Sequence, residues 1–118
     1  MAFRKDNPTT VKITINEDGG FEYSISTHRM NRKGKGAAKL RKIKWSADGP
    51  FMIDFGDRSP FKVLSVKNNP KTSPKDCFES DEVEIERTAS LGRYRYAVAV
   101  CTGNEVFLDA CPEVVVEC

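Results

Sequence analysis

"LGRYRYAVAVCTGNEVFLDACPEVVVEC", residues 91–118, is the stretch where the hydrophobic period is clearest. Tyr94, Tyr96, Val98 and Val100 fall on one face of an extended chain, with the small Ala97 and Ala99 on the other. Period two marks a strand, because successive side chains point to opposite sides of the backbone. Aromatics on one side and alanines on the other predict a central strand covered on both faces. Thr102, Gly103 and Asn104 turn the chain, "EVFLD" returns, and "EVVVE" follows Pro112.

The same period recurs upstream. "VKITIN" sends Val11, Ile13 and Ile15 one way, and "FEYSIS" does so with Phe21, Tyr23 and Ile25. Residues opposite each other in a hairpin share a face, so Ile15 requires an apolar partner. A three-residue loop of Asp18, Gly19 and Gly20 sets Ile15 against Tyr23 and Ile13 against Ile25, with Gly20 supplying a positive φ. Ile43 and Trp45 open a third strand, and "FMIDF" makes a fourth after a turn at Asp48, Gly49 and Pro50. "FKVLSV" is a fifth strand, with no clear inward face. Residues 67–81, with two prolines, read as a long surface loop. "EVEIE" points Val83 and Ile85 inward. About nine short strands at ten-residue intervals, without a long helix, predict one all-β domain: an antiparallel Greek-key β-sandwich.

At 118 residues the chain is long enough for a single self-sufficient core. Nineteen Lys and Arg against 17 Asp and Glu give a net charge of +2, which implies no nucleic-acid or membrane partner from the overall balance. "MAFRKDNPTT" has no apolar run behind its basic residues, and no stretch reaches the roughly 18 apolar residues of a membrane span. A cytoplasmic, bacterial-type protein is expected. Cys77, Cys101, Cys111 and Cys118 form no C-x-x-C and none neighbours the single histidine, so free thiols are expected, with one disulfide as the alternative.

"KIKWSADGPFMIDFG" followed by "LGRYRYAVAV" resembles the layout of the cupredoxins, most specifically through Gly92, Tyr94 and Tyr96. "DACPEVVV" is similar to the strand of the DP-EP family, small bacterial proteins in which Asp-Pro-Glu precedes valines and isoleucines. Here Ala110 and Cys111 stand between Asp109 and Pro112. The cupredoxin resemblance would imply a copper site at Cys101, where a strand meets a loop. Blue copper needs two imidazoles and a thiolate. This chain has only His28, Phe51 stands where the first ligand belongs, and "TGNEVF" after Cys101 has neither His nor Met. No metal or cofactor is therefore expected. An immunoglobulin-like sandwich is the rival for the same strands, with Tyr94 or Tyr96 as a tyrosine corner and Trp45 in the core.

Two charged segments are the candidate sites. Residues 29–44 hold Arg29, Arg32, Lys33, Lys35, Lys39, Arg41, Lys42 and Lys44 with no acid, a candidate anion-binding set. Its first half is expected to be a solvated loop, and its lysines could equally blunt an edge strand. No aromatics interleave with the charges, and the G-x-x-x-x-G-K-[ST] spacing is missing, so neither single-stranded nucleic acid nor nucleotide is indicated. Glu79, Asp81, Glu82, Glu84 and Glu86 form a candidate acidic contact face, either solvated or paired with the basic segment within or between molecules. His28 is expected to be exposed, and Cys101 has no base at hand to make it a nucleophile. "DFG" at Asp54 is a coincidence of spelling. With no catalytic constellation, the expected function is a non-enzymatic module for protein interaction, self-association or structure. Nucleic acid or another polyanion on the basic segment is the alternative.

Overall fold

The computed structural model describes residues 9–32, 41–70 and 78–117. Among these the chain is all-β and sandwich-like, with no helix. Its strands are β1 (Thr9–Ile15), β2 (Phe21–Tyr23), β3 (Thr27–Asn31), β4 (Lys42–Ala47), β5 (Phe51–Asp54), β6 (Ser65–Lys67), β7 (Phe78–Glu79), β8 (Val83–Glu84), β9 (Gly92–Arg95), β10 (Ala97–Thr102), β11 (Glu105–Asp109) and β12 (Glu113–Glu117). One sheet runs β2-β1-β4-β7, with β8 also beside β4. The others run β11-β10-β5-β6 and β3-β12-β9.

The last two sheets are joined by one long hairpin. β9 passes through Tyr96 into β10, and β11 passes into β12, so residues 92–102 lie against 105–117. The pairing steps by one residue between Val98↔Asp109 and Arg95↔Glu113. Ala110 and Cys111 take up that extra residue as a bulge, and the Tyr96 N–H donates to the Pro112 carbonyl at 3.1 Å just beyond it. The strand read as one from "YRYAVAV" therefore serves two sheets. Its alanine face is also open where it was expected to be covered: Ala97 is exposed and Ala99 half-buried.

Two pairings are parallel, β1 with β4 and β3 with β12, so the sandwich is mixed rather than wholly antiparallel. Both follow from the chain crossing between layers, which returns a strand beside a distant one running the same way. Strand β3 overturns the expected loop at Arg29. Met30 buries its whole side chain beside Val116, and the Arg29 guanidinium reaches Glu117 at 3.0 Å, so this charged stretch finds a use for each face. His28, expected to be exposed, is half-buried on this strand. β7 likewise falls within the stretch read as surface loop.

The first hairpin has the expected three-residue loop, displaced by one position. Ile15 opposes Phe21 and Ile13 opposes Tyr23, which leaves Glu17, Asp18 and Gly19 in the loop. Gly19 takes the positive φ, at 86°, and Asp18 accepts a hydrogen bond from the Gly20 N–H at 2.9 Å. Either register keeps apolar residues opposite apolar ones, so alternation could not separate them.

The core is centred on Trp45, which contacts Phe55, Phe61 and Tyr96 edge-on. Val11, Ile13, Ile43, Ile53, Val98, Val100, Val114 and Val116 fill the layers around it. Tyr94 donates its hydroxyl to the Ser90 carbonyl at 2.6 Å, the back-bond of a tyrosine corner. Val63 and Leu64 of "FKVLSV" stay exposed while Phe61 and Val66 go inward.

A buried phenol, Tyr96, and a half-buried one, Tyr23, tie stability to alkaline pH. Burial pushes Tyr96 up to about 12, against a smaller lowering by the Trp45 indole N–H donated to its oxygen. Burial also raises Tyr23, reinforced by the 2.7 Å hydrogen bond it donates to Asp109. Both folded values lie above the ordinary 10.0, so this stability is fully present below pH 10 and is lost as pH climbs through 12. Urea midpoints measured from pH 8 to 12 should fall above pH 10, and less steeply in Tyr23→Phe.

Candidate functional site

The expected thiol mouth lies at the end of β10. Cys101 is exposed, its N–H donates to the Pro50 carbonyl at 2.8 Å, and Phe51 beside it is buried. His28 pairs with Val114, which pairs with Tyr94, so the imidazole stands level with Tyr94. Tyr94 precedes Cys101 by seven residues along nearly continuous strand, about 23 Å at 3.3 Å per residue. His28 and Cys101 of one chain thus cannot share an ion. Among the described residues no three His, Cys, Asp or Glu side chains gather at metal-binding range. Cys111, in the bulge, is exposed, and its hydrogen bond with Asp109 pushes the thiol pKa up, against a weaker lowering by Arg95. A thiol held protonated in this way is a poor nucleophile. Cys77 and Cys118 lie outside the described residues.

The two charged segments meet each other. β4 pairs with β7 and β8, placing Ser46 opposite Glu79 and Lys42 opposite Glu84. Lys44 then reaches Glu79 at 3.1 Å, and Arg41 reaches Glu84 at 3.9 Å. Arg32 donates to the Ala89 carbonyl at 3.0 Å, and Asp81 accepts from the Asn69 amide at 2.8 Å. Glu82 is exposed, and Glu86 is half-buried with its N–H on the Pro60 carbonyl. Lys33, Lys35 and Lys39 lie outside the described residues. The described charges are largely spent within the molecule, each exposed pair being worth about 0.2–1 kcal/mol.

One small recess draws on both segments. Arg32, Arg41 and Arg87 line it with Glu84 and Ile85, around about 30 Å³ of space. The Arg41 Nε there is buried and has no hydrogen-bond partner among the described residues. Arg87 was not singled out from sequence, because it lies far along the chain from the basic run.

Among the described residues, the two most exposed large hydrophobic side chains, Leu108 and Val106, lie elsewhere, on the outer side of β11-β10-β5. Leu108 on β11, Ala99 on β10 and Met52 on β5 form one cross-strand row. Val106 and Cys101 form the next. Leu108 is 75% exposed, Val106 61% and Met52 43%. The cause is local. Phe107 opposes the buried Val100 and so takes the inward side, and parity forces its neighbours Val106 and Leu108 outward. The three consecutive apolar residues of "VFL" carried this signal, since a strand with one wet face cannot hide all three.

Among the described residues β11 is also a sheet edge. Natural edges are blunted by brevity, lysine, proline or bulges. β2 and β6 have three residues each, and β3 carries Arg29 and His28. β11 has five residues, with acids only at its ends. Comparison with protein-family models, with curated proteins and with solved structures finds no match.

Proposed function

We propose that this chain is a cytoplasmic, non-catalytic interaction module that binds polypeptide through the edge and outer face of β11. Its cupredoxin-like layout, with the likeness to the DP-EP family, belongs to the same proposal. The observation that carries it is the exposed apolar row of Leu108, Ala99 and Met52 running up to an unprotected edge strand. An incoming strand would gain backbone hydrogen bonds at the edge and apolar contact on that face, the mode known as strand addition. The pairing of Lys44 with Glu79 and Arg41 with Glu84 further favours this reading over a polyanion, which would have to displace both acids.

The test uses a lysine-flanked peptide of residues 105–109 as an apolar strand probe. Saturable binding by fluorescence anisotropy is expected, weakened about tenfold or more in Leu108→Lys. Absence of binding to the wild type rejects the reading. The second reading, anion binding, draws on the recess with the unpartnered Arg41 Nε. Retention on heparin at moderate salt that vanishes in the Arg32→Ala, Arg41→Ala, Arg87→Ala variant would put it in first place.

A further inference from the structure

We infer that the strand that β11 accepts is β11 of a second copy, antiparallel, with Phe107 on the two-fold axis. The inference rests on the interaction reading above and names its occupant.

Backbone register is the main argument. The β10–β11 hairpin closes at Thr102↔Glu105 around the two-residue turn of Gly103 and Asn104. The closing pair of such a turn exchanges both hydrogen bonds, and bonded pairs then recur at every second position. Thr102/Glu105, Val100/Phe107 and Val98/Asp109 are therefore the bonded pairs. It follows that the N–H and C=O groups of Val106 and Leu108 point away from β10, toward the open edge.

Those four groups are self-complementary. In an antiparallel pairing of two copies centred on Phe107, Val106 opposes Leu108 of the second copy, and the two-fold repeats this pair in reverse. Each pair exchanges two backbone hydrogen bonds, so every outward group of the central segment finds a partner. An axis at Val106 or at Leu108 would instead set the other of these two residues opposite Asn104 or Ala110, both outside β11. Such an isologous contact closes on itself, so it makes dimers rather than fibres.

Side chains agree with the register. Val106 and Leu108 share the outer face, so each meets its opposite number's apolar side chain across the new seam. The row of Met52, Ala99 and Leu108 in one copy then continues into Val106 and Cys101 of the second. Two four-stranded sheets become one eight-stranded sheet with an uninterrupted apolar strip. The contact is narrow, below the ~1,200 Å² of a standard interface, so the dimer is reversible and concentration-dependent.

Charge fixes the salt response. Glu105 comes opposite Asp109 of the second copy, and like charges facing across strands repel. Salt screens that repulsion, so this dimer tightens as salt rises. A dimer held by the basic segment against the acidic face would loosen instead.

Sedimentation equilibrium on the full chain at low and high salt reads both effects. The expected result is a monomer–dimer equilibrium that strengthens with salt and is weakened about tenfold or more in Leu108→Lys. Leu108 is exposed, so that variant should keep the wild-type circular dichroism and urea midpoint. Register is tested by Phe107→Cys: the axis places the two copies of position 107 at about 4.5 Å between Cα atoms, within disulfide range. Oxidation should give a dimer whose cross-linked peptide joins position 107 to itself. A monomer under all conditions, a dimer that loosens with salt, or a cross-link mapping elsewhere overturns the inference. If the 105–109 peptide still binds a chain that stays monomeric, the interaction reading stands without self-pairing. If the peptide also fails, both fall.

Discussion

Replacing Trp45 by alanine is expected to destabilise the domain by about 3–5 kcal/mol, enough to leave many domains largely unfolded at room temperature. Trp45 is fully buried. Its ring centroid stands 5.6 Å from that of Tyr96 and 6.3 Å from those of Phe55 and Phe61, all in edge-to-face geometry. These neighbours come from β9–β10, from the residue after β5 and from the segment before β6, so the indole is where three chain segments meet. Alanine leaves a void that the three rings cannot close without leaving their own contacts. The Tyr96 oxygen also loses the indole N–H at 3.2 Å. Trp45→Phe keeps an aromatic ring and loses that hydrogen bond, so its cost should be well below half that of alanine. Urea unfolding followed by far-ultraviolet circular dichroism is the measurement, because Trp45 is the only tryptophan and its removal abolishes the natural fluorescence probe. An alanine variant within about 1 kcal/mol of wild type would mean that the ring cluster is not where the core is held.

Gly49→Ala should be nearly as damaging, about 3 kcal/mol, for a steric reason that composition does not reveal. A Cβ on Gly49 would collide with the Cys101 carbonyl oxygen. Backbone, unlike a flexible side chain, cannot swing away. The adjacent Cys101 N–H is fastened to the Pro50 carbonyl, and Phe51 pairs with Val100 just beyond, so neither strand can give ground alone. Cys101→Ala is the informative contrast. Its side chain is exposed, so this change should stay within about 0.5 kcal/mol. Chemical denaturation of the two variants side by side therefore separates the role of the Cys101 backbone from that of its thiol. A severe loss in Cys101→Ala together with a mild one in Gly49→Ala would reverse the account.

For the strands with clean alternation, the buried face was legible in the sequence. Val11 and Ile13, Ile43 and Trp45, Phe51 and Ile53, and Val98 and Val100 all face inward as their alternation predicts. Register was not legible, because a shift of two residues preserves every face, as the displaced loop at Glu17, Asp18 and Gly19 shows. The change of sheet at Tyr96 left no trace either, since the period runs unbroken through it. β3 was hidden for another reason. Only Met30 marks it as apolar, and its partner β12 lies 86 positions away, at Thr27↔Glu113. Of the candidate sites, the pairing of the basic and acidic segments was foreseeable from opposite charge. The β11 face depended on which side Phe107 takes, and that is decided by Val100 across the turn.

The parallel ladder between β3 and β12 sets an order of events during synthesis. A ribosome emits residues 27–31 long before residues 113–117, and at roughly 5–20 residues per second the delay is several seconds. Throughout that interval β3 lacks the strand that, among the described residues, lies beside it. Closure of so distant a pair is slow in its own right. The domain should therefore acquire protease resistance late and all at once, after emergence of residue 117, rather than strand by strand.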